Sequence, residues 1–137
     1  MAAMFLDAVK DDEESEAALP THADLVRGVP AAWAETLIKS KLLSREDVAR
    51  VIPIRTLNRR VAERQPLTLR EGDALARLVR IVRHARDAFD DPAVADAWLR
   101  SANPALGGDM PIVMASSDAG ARQAEDVLAR FEAGVFG

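Results

Sequence analysis

The chain has 137 residues, enough for one packed domain or for two very small ones that share a core. Its 49% hydrophobic residues allow a sizeable interior, and the absence of cysteine excludes a disulfide framework and any thiolate metal site. The net charge of −4 hides a basic segment, because residues 50–86 carry +7 between acidic segments at 1–16 and 87–137. This asymmetry favours an anionic partner for the basic segment, or its neutralisation within the protein.

The composition predicts an all-α fold, because Ala, Leu, Arg and Glu are strong helix formers and no strand pattern occurs. No apolar run approaches the roughly 20 residues of a membrane span, so no membrane contact is expected. The acidic N-terminus lacks the basic and apolar regions of a signal peptide. Together with the absence of cysteine, these features predict a cytoplasmic protein.

An acidic N-terminal arm is predicted over residues 1–20, in which the charge run DDEESEA (11–17) acts as a linker. The first helix of the folded part is expected to begin at Pro30, a residue suited to a first helical turn, and to contain AAWAETLIKSKLL. The arm is expected to precede a folded unit that starts near residue 21.

Two short helices joined by a tight turn are predicted next. Ser44 is a good N-cap for the first of them, with Asp47 at the third position, and Ile52-Pro53 ends it. The second, residues 54–64, carries Leu57 and Val61 on its inward face and is rich in Arg and Asn. The pair resembles a helix-turn-helix, and we assign residues 21–67 to a helix-turn-helix-like domain.

In a helix-turn-helix the second helix enters the major groove, where Arg can pair with guanine and Asn with adenine. The residues predicted to face DNA are Arg55, Asn58, Arg59, Arg60 and Arg64. The alternative is a solvated basic face on a helix that only packs against its neighbours. The acidic arm counts against free access of DNA, because it can cover the same surface.

A helical C-terminal domain is predicted over residues 68–137. Thr68 and Glu71 form a capping box that starts the longest helix, which runs to about Phe89. Asp91 and Pro92 start another helix, for which the inward residues are expected to be Val94, Ala97 and Trp98.

A turn-rich loop, SANPALGGDMP (101–111), separates that helix from the last one. Asn103 is expected to bond its own backbone ahead of Pro104, and the two glycines that follow allow positive φ. Ser117 is predicted to cap the last helix and Gly134 to terminate it.

No catalytic site, metal site or cofactor site is indicated by the sequence. The only histidines are His22, predicted in a loop, and His84, for which a surface or core-edge role is expected. No Walker A, HExxH, CxxC or GxSxG pattern occurs. We therefore expect a binding protein rather than an enzyme.

From residue 52 onward the sequence resembles the Xre/MbcA/ParS antitoxins of type II toxin–antitoxin systems. The resemblance is carried by RTLNRR (55–60), PLTLRE (66–71), the loop WLRSANPALGG (98–108) and LARFEAGVF (128–136). It implies a C-terminal toxin-binding domain and a partner toxin of the RES class, which consumes NAD or uses it for ADP-ribosylation. It also implies that the antitoxin blocks the NAD pocket of the toxin with its C-terminal region, within a multi-subunit complex, and can bind the promoter of its own operon.

The residues that this resemblance assigns to the toxin interface are Trp98, Asn103, Leu106, Gly107, Gly134, Val135, Phe136 and Gly137. Trp98 and Gly107 are expected to shape the interface rather than to contact the toxin. At the apolar chain end, the Phe136 ring and the Gly137 carboxylate can fill the ring and phosphate subsites of an NAD pocket. The alternatives are that Trp98 and Leu106 close the core, and that Phe136 folds back onto the last helix.

Two other functions stay open on the sequence. One is a DNA-binding transcriptional regulator that acts without a toxin, and the other is an oligomerisation module in which the basic segment pairs with the acidic ends of a neighbour. A homodimer within a hetero-oligomeric complex is expected, because dimerisation also suits paired DNA half-sites.

Overall fold

A computed structural model of the protein describes residues 19–134, which divide into two compact units between residues 76 and 77. The regular elements of the described residues are helical, and the predicted all-α fold is confirmed. Most of the acidic arm predicted at 1–20 lies outside the described residues. The helices are α1 (His22–Arg27), α2 (Ala32–Lys39), α3 (Arg45–Ala49), α4 (Ile54–Ala62), α5 (Leu69–Phe89), α6 (Pro92–Leu99) and α7 (Asp118–Glu132), with 3₁₀ turns at Pro104–Leu106 and Pro111–Ser116.

Capping boxes start three of the helices. The predicted boxes at Ser44 and Thr68 are confirmed, since each hydroxyl accepts a backbone hydrogen bond at 3.1 Å and the acid three residues later bonds back. A third box joins Thr21 to Asp24 and makes His22 the first residue of α1. The predicted loop position of His22 is therefore wrong, because the pattern T-x-x-D satisfies two backbone N–H groups and starts a helix.

Helix α2 is shorter than predicted at both ends. Pro30 lies before the helix and forms an isolated bridge with Pro66, so it does not occupy the first turn. Lys41 takes a left-handed φ of 65°, which ends the helical path after Lys39. The apolar pattern continues past this point, since Leu43 is buried, but it is carried there by a turn.

The core of the first unit contains buried apolar side chains from its helices and from the turns that connect them. Its entry loop is fixed by the backbone, because Leu67 N–H donates to the Val29 carbonyl at 2.8 Å. Gly28 in this loop has φ +100°, and a Cβ there would lie 2.7 Å from the Pro66 Cβ, so only glycine fits. The largest buried side chains of the core are Trp33, Leu37, Leu43, Ile52, Leu57 and Leu67.

In the second unit, α6 buries a different face from the one predicted. Ala95 and Leu99 are fully buried, whereas Val94 is 48% exposed, Ala97 is exposed and Trp98 is half-buried. The predicted inward face is therefore wrong. The sequence PAVADAWL is apolar around most of the helix, so its hydrophobic pattern does not fix which side faces the core.

The last helix packs closely against the turn that precedes it. Ser117 caps α7 as predicted, with its hydroxyl accepting from Gly120 N–H at 3.0 Å. A Cβ at Gly120 would collide with the Met114 carbonyl, so the helix can approach the 3₁₀ turn only with glycine there. Ala121 and Leu128 are fully buried behind this contact.

Candidate functional site

Helix α4 presents a basic face to solvent. Arg55, Asn58 and Arg59 are exposed along the helix, and Arg64 is exposed just after it with a left-handed φ of 53°. Four of the five residues predicted to face DNA are therefore accessible on one short segment. Exposed guanidinium and amide groups on a helix can reach phosphates and base edges.

Arg60 lies apart from this face. Its Nε lies 2.8 Å from Glu71 Oε1, and its Nη2 donates to Glu71 Oε2 at 3.1 Å. Both side chains are only 16% exposed. The structure thus engages Arg60 in an ion pair within the first unit, which the sequence pattern did not reveal because the partner is 11 residues away.

Glu71 has two partners, since it also completes the capping box of α5. Burial raises the pKa of the Glu71 carboxyl, but the Thr68 N–H and the Arg60 guanidinium outweigh it and hold the pKa below the ordinary value. The same carboxylate therefore joins the start of α5 to the side of α4.

A groove of 310 Å³ lies beside this ion pair in the first unit. Its walls are the loop at residues 28–32 and the end of α4 with the turn that follows, residues 60–66. Val61, predicted to face inward, is half-buried and lines this groove. The lining is mostly apolar, with arginines on one wall.

The loop before the last helix has a shape fixed by its own backbone. As predicted, Asn103 Oδ1 accepts from Ala105 N–H at 2.9 Å, and Gly107 and Gly108 have positive φ. Gly108 N–H donates to the Asn103 carbonyl at 2.9 Å, and Asn103 N–H donates to the Asp109 carbonyl at 3.1 Å. The loop therefore closes on itself around Asn103.

A groove of 470 Å³ runs between this loop and α7. Leu106, 7% exposed, and Gly107 line one side of the groove, so both of these residues of the predicted toxin interface lie there. Asp126 and Arg130 line the other side. The sequence analysis did not single out Asp126 or Arg130, although both fall on the polar face of α7.

Trp98 is found in an aromatic cluster rather than in that groove. Its ring lies 5.6 Å from the Phe89 ring, and Phe89 lies 4.5 Å from the Phe131 ring at the end of α7. Such tilted pairs are favourable contacts between helices. Trp98 thus supports α7 indirectly, through Phe89.

The end of α7 is closed by Gly134, as predicted. Gly134 has φ +72°, is exposed, and donates its N–H to the Phe131 carbonyl at 3.0 Å. Apart from Gly134 itself and its chain neighbours, no heavy atom of the described residues lies within 4 Å of a Cβ placed there. The other three residues predicted at the chain end, Val135, Phe136 and Gly137, lie outside the described residues.

A ladder of charged side chains also connects α5 to α7. Arg80 Nε lies 2.7 Å from Glu125 Oε1, His84 Nδ1 lies 3.5 Å from Glu125 Oε2, and His84 Nε2 lies 2.6 Å from Glu132 Oε1. Over residues 19–134, no group of three or more potential ligands is arranged to hold a metal ion. The contacts of Arg80 and His84 with Glu125 and Glu132 link α5 to α7.

The two parts of the chain match two related family profiles. Residues 20–83 match the antitoxin Xre-like helix-turn-helix domain, and residues 84–134 match the antitoxin Xre/MbcA/ParS C-terminal toxin-binding domain. An antitoxin Xre of Pseudomonas putida is 30% identical over 129 residues, which cover 94% of this chain and 81% of the relative. The chain belongs to the Xre/MbcA/ParS antitoxin family. This confirms the family resemblance drawn from the four sequence motifs.

Two other known antitoxins are also similar in sequence to this chain. An antitoxin Xre of Photorhabdus laumondii is 28% identical over 117 residues, covering 83% of this chain and 79% of the relative. A Prs ADP-ribosylating antitoxin of a Sphingobium species is 30% identical over 90 residues, covering 59% and 57%. The α3–α4 pair thus falls in the helix-turn-helix match, and the loop and α7 fall in the toxin-binding match.

The contacts of individual residues with a toxin or with DNA stay predictions for this antitoxin.

Within the described part of the chain, none of the helices combines the length and apolar character needed to cross a bilayer.

Proposed function

We propose that this antitoxin binds a cognate RES-domain toxin and blocks the toxin's NAD pocket with its C-terminal region. It acts in the cytoplasm, as the binding component of a type II toxin–antitoxin system, and performs no reaction itself. The name of the Sphingobium relative refers to ADP-ribosylation, a reaction in which NAD is the donor. That name supports the proposal that the partner toxin of this chain uses NAD.

The observation that carries the proposal is the way α7 ends. Gly134 turns the chain out of the helix in a left-handed conformation, in an exposed position with open space around it. The sequence continues past Gly134 with Val135, Phe136 and Gly137. These are three of the residues proposed to enter the toxin's cleft.

The chemistry of those three residues fits an NAD pocket. Such a pocket presents apolar walls to the rings and cations or N–H donors to the pyrophosphate. The Phe136 ring supplies a large apolar anchor for such walls. Leu106 and Asn103 lie in or beside the loop and contribute a second contact with the toxin, whereas Gly107 shapes the loop.

The test is a comparison of the full antitoxin with a variant that ends at Gly134. NAD consumption by the toxin encoded beside this chain is measured at equal antitoxin concentrations. We expect the shortened variant to inhibit at least about tenfold less well, as for loss of a buried aromatic anchor. Phe136→Leu is the matched control, because it keeps the chain length and an apolar side chain at this position. Unchanged inhibition by the shortened variant would assign neutralisation to the helical surface instead.

A second function is favoured by the exposed basic face of α4. We propose that Arg55, Asn58, Arg59 and Arg64 bind the promoter of the antitoxin's own operon, with the protein acting as a homodimer within the toxin complex. Fluorescence anisotropy on the upstream DNA, at several salt concentrations, tests this proposal. Binding that does not fall with added salt, or that is equal for unrelated DNA, would contradict it.

A further inference from the structure

We propose that His84 is a positioning residue for toxin neutralisation: it clamps the last turn of α7 to α5 and so fixes the position of Gly134, after which the proposed toxin-contact residues follow. The inference rests on the proposed function of that chain end. It concerns a histidine that the toxin-binding proposal does not otherwise use.

The clamp is visible in the contacts of His84. Its Nε2 lies 2.6 Å from the carboxylate of Glu132, the last residue of α7. Because that carboxylate can only accept, Nε2 carries the hydrogen. Its Nδ1 lies 3.5 Å from Glu125, two turns earlier on α7, and Arg80 holds the other oxygen of Glu125 at 2.7 Å. One imidazole therefore spans two carboxylates of α7.

An aromatic contact secures the adjacent residue of α7. Phe131 packs against Phe89 of α5 with ring centroids 4.5 Å apart, and Trp98 of α6 packs on Phe89 at 5.6 Å. Two consecutive residues at the end of α7 are thus attached to α5, one by a charged contact and one by an apolar contact. The contacts advance in the same direction on both helices, from Arg80–Glu125 to Phe89–Phe131.

The position of this clamp relates it to the chain end. Gly134 follows two residues after Glu132, and a Cβ at Gly134 would meet no described atom within 4 Å. Three residues lie between Glu132 and Phe136, so the Cα atoms of these two residues are at most about 14 Å apart. The orientation of the last turn of α7 therefore limits where Phe136 can lie when it meets the toxin.

The clamp is also too exposed to serve mainly as a stabiliser. The side chains of His84 and Glu132 are 25% and 45% exposed, and partly solvated pairs contribute little to the free energy of unfolding. Its larger effect is on binding, because a pre-oriented segment loses less conformational freedom when it is captured.

A double-mutant cycle tests the inference. The affinity of the toxin encoded beside this chain is measured for the full antitoxin, for His84→Ala, for the variant ending at Gly134, and for both changes together. We expect His84→Ala to weaken binding about two- to tenfold in the full chain, as for loss of a few ordered groups, and to have no effect in the shortened chain. An equal loss in both backgrounds, or no loss in the full chain, would overturn the inference.

Two further variants separate positioning from general damage. Asp96→Asn removes a comparable pair of the second unit, Arg86 Nη2 to Asp96 Oδ2 at 3.3 Å, which does not involve α7, and is expected to leave affinity unchanged. His84→Lys keeps a donor for the glutamates and is expected to restore most of the affinity. Hydrogen exchange at the Ala133 and Gly134 amides is expected to quicken in His84→Ala and not in Asp96→Asn.

The outcomes distinguish this inference from the proposed function. If shortening the chain at Gly134 leaves the affinity unchanged, the proposed function fails and the positioning role falls with it. If shortening weakens binding while His84→Ala does not, or if exchange at Ala133 and Gly134 is unaffected, the positioning role alone fails.

Discussion

The basic segment at residues 50–86 behaves differently in its two halves. In the second unit, Arg80 and Arg86 each contact a carboxylate on another helix, and Arg77 donates to the Ala115 carbonyl at 3.1 Å. On α4, by contrast, Arg55 and Arg59 are exposed. The sequence left two explanations for the positive charge open, an anionic partner or internal neutralisation. Internal neutralisation applies to the second half, because the acids of α6 and α7 lie beside α5. An anionic partner stays a prediction for the exposed arginines of α4.

The comparison shows that the charge of a segment is a poor guide to its function until the partners are known. Arg59 and Arg60 are neighbours in the sequence, yet Arg59 is exposed and Arg60 is engaged by Glu71. A helix turns about 100° per residue, so adjacent side chains face different surroundings.

The largest effect is expected from removing the exposed arginines. The triple variant Arg55→Ala, Arg59→Ala, Arg64→Ala is predicted to weaken promoter binding about 10- to 1,000-fold and to lower the salt slope by about 3, one unit per lost phosphate contact. Fluorescence anisotropy at several salt concentrations measures both. Arg80→Ala is the matched control, since its side chain contacts Glu125; an equal loss there would mean that the two halves do not differ.

A smaller effect, on stability, is expected from Arg60. Arg60→Ala leaves the half-buried Glu71 carboxylate without its cation and is predicted to lower the free energy of unfolding by about 1–3 kcal/mol. Urea unfolding followed by circular dichroism measures this. Arg59→Ala, one position away, is predicted to change stability by less than about 0.5 kcal/mol. Equal changes for the two variants would contradict the assignment of Arg60 to an internal pair.

The pH dependence of stability tests the same contact, that of Glu71 with Arg60. The pKa of Glu71 is lower in the folded protein than its ordinary value of 4.5, so the unfolded chain binds the proton more readily. Its contribution is complete above about pH 4.5 and is lost as the pH falls through the lower folded-state pKa. We expect Glu71→Gln to be less stable than the wild type at pH 7 and to approach it below pH 4. A constant difference across this range would exclude the titration of Glu71 as the cause.

The smallest effect is expected from the pair Arg86–Asp96, whose side chains are 25% and 38% exposed. Asp96→Asn is predicted to lower the free energy of unfolding by about 0.5 kcal/mol or less, because solvent screens the pair. Thermal unfolding at low and high salt measures the change. A loss comparable with that of Arg60→Ala would show that exposure does not separate the two kinds of pair.

The parts of the fold that follow local rules could be predicted from the sequence. Ser44, Thr68, Asp91 and Ser117 each cap a helix as expected, because a cap needs only its neighbours in the chain. The loop conformation at Asn103 and the two glycines was predicted for the same reason. The family was also accessible, because its motifs lie at these turns and helix ends.

Features that depend on distant residues could not be predicted. The prediction of the buried face of α6 was wrong because apolar residues surround this helix, and the neighbouring elements decide which side is covered. The partners of Arg60 and His84 lie 11 and 48 residues away, beyond any periodic signal. The proposed contacts of Val135, Phe136 and Gly137 fall outside the described residues and stay predictions.

The way in which the closed loop around Asn103 is held determines which of its side chains can be changed. Its path is held by the Asn103 side chain, by backbone hydrogen bonds and by the positive φ of Gly107 and Gly108. The side chains of Ala105 and Asp109 are exposed and take no part in holding that path. Substitutions at 105 and 109 are therefore expected to change the surface of the groove beside α7 without reshaping the loop that forms one of its sides.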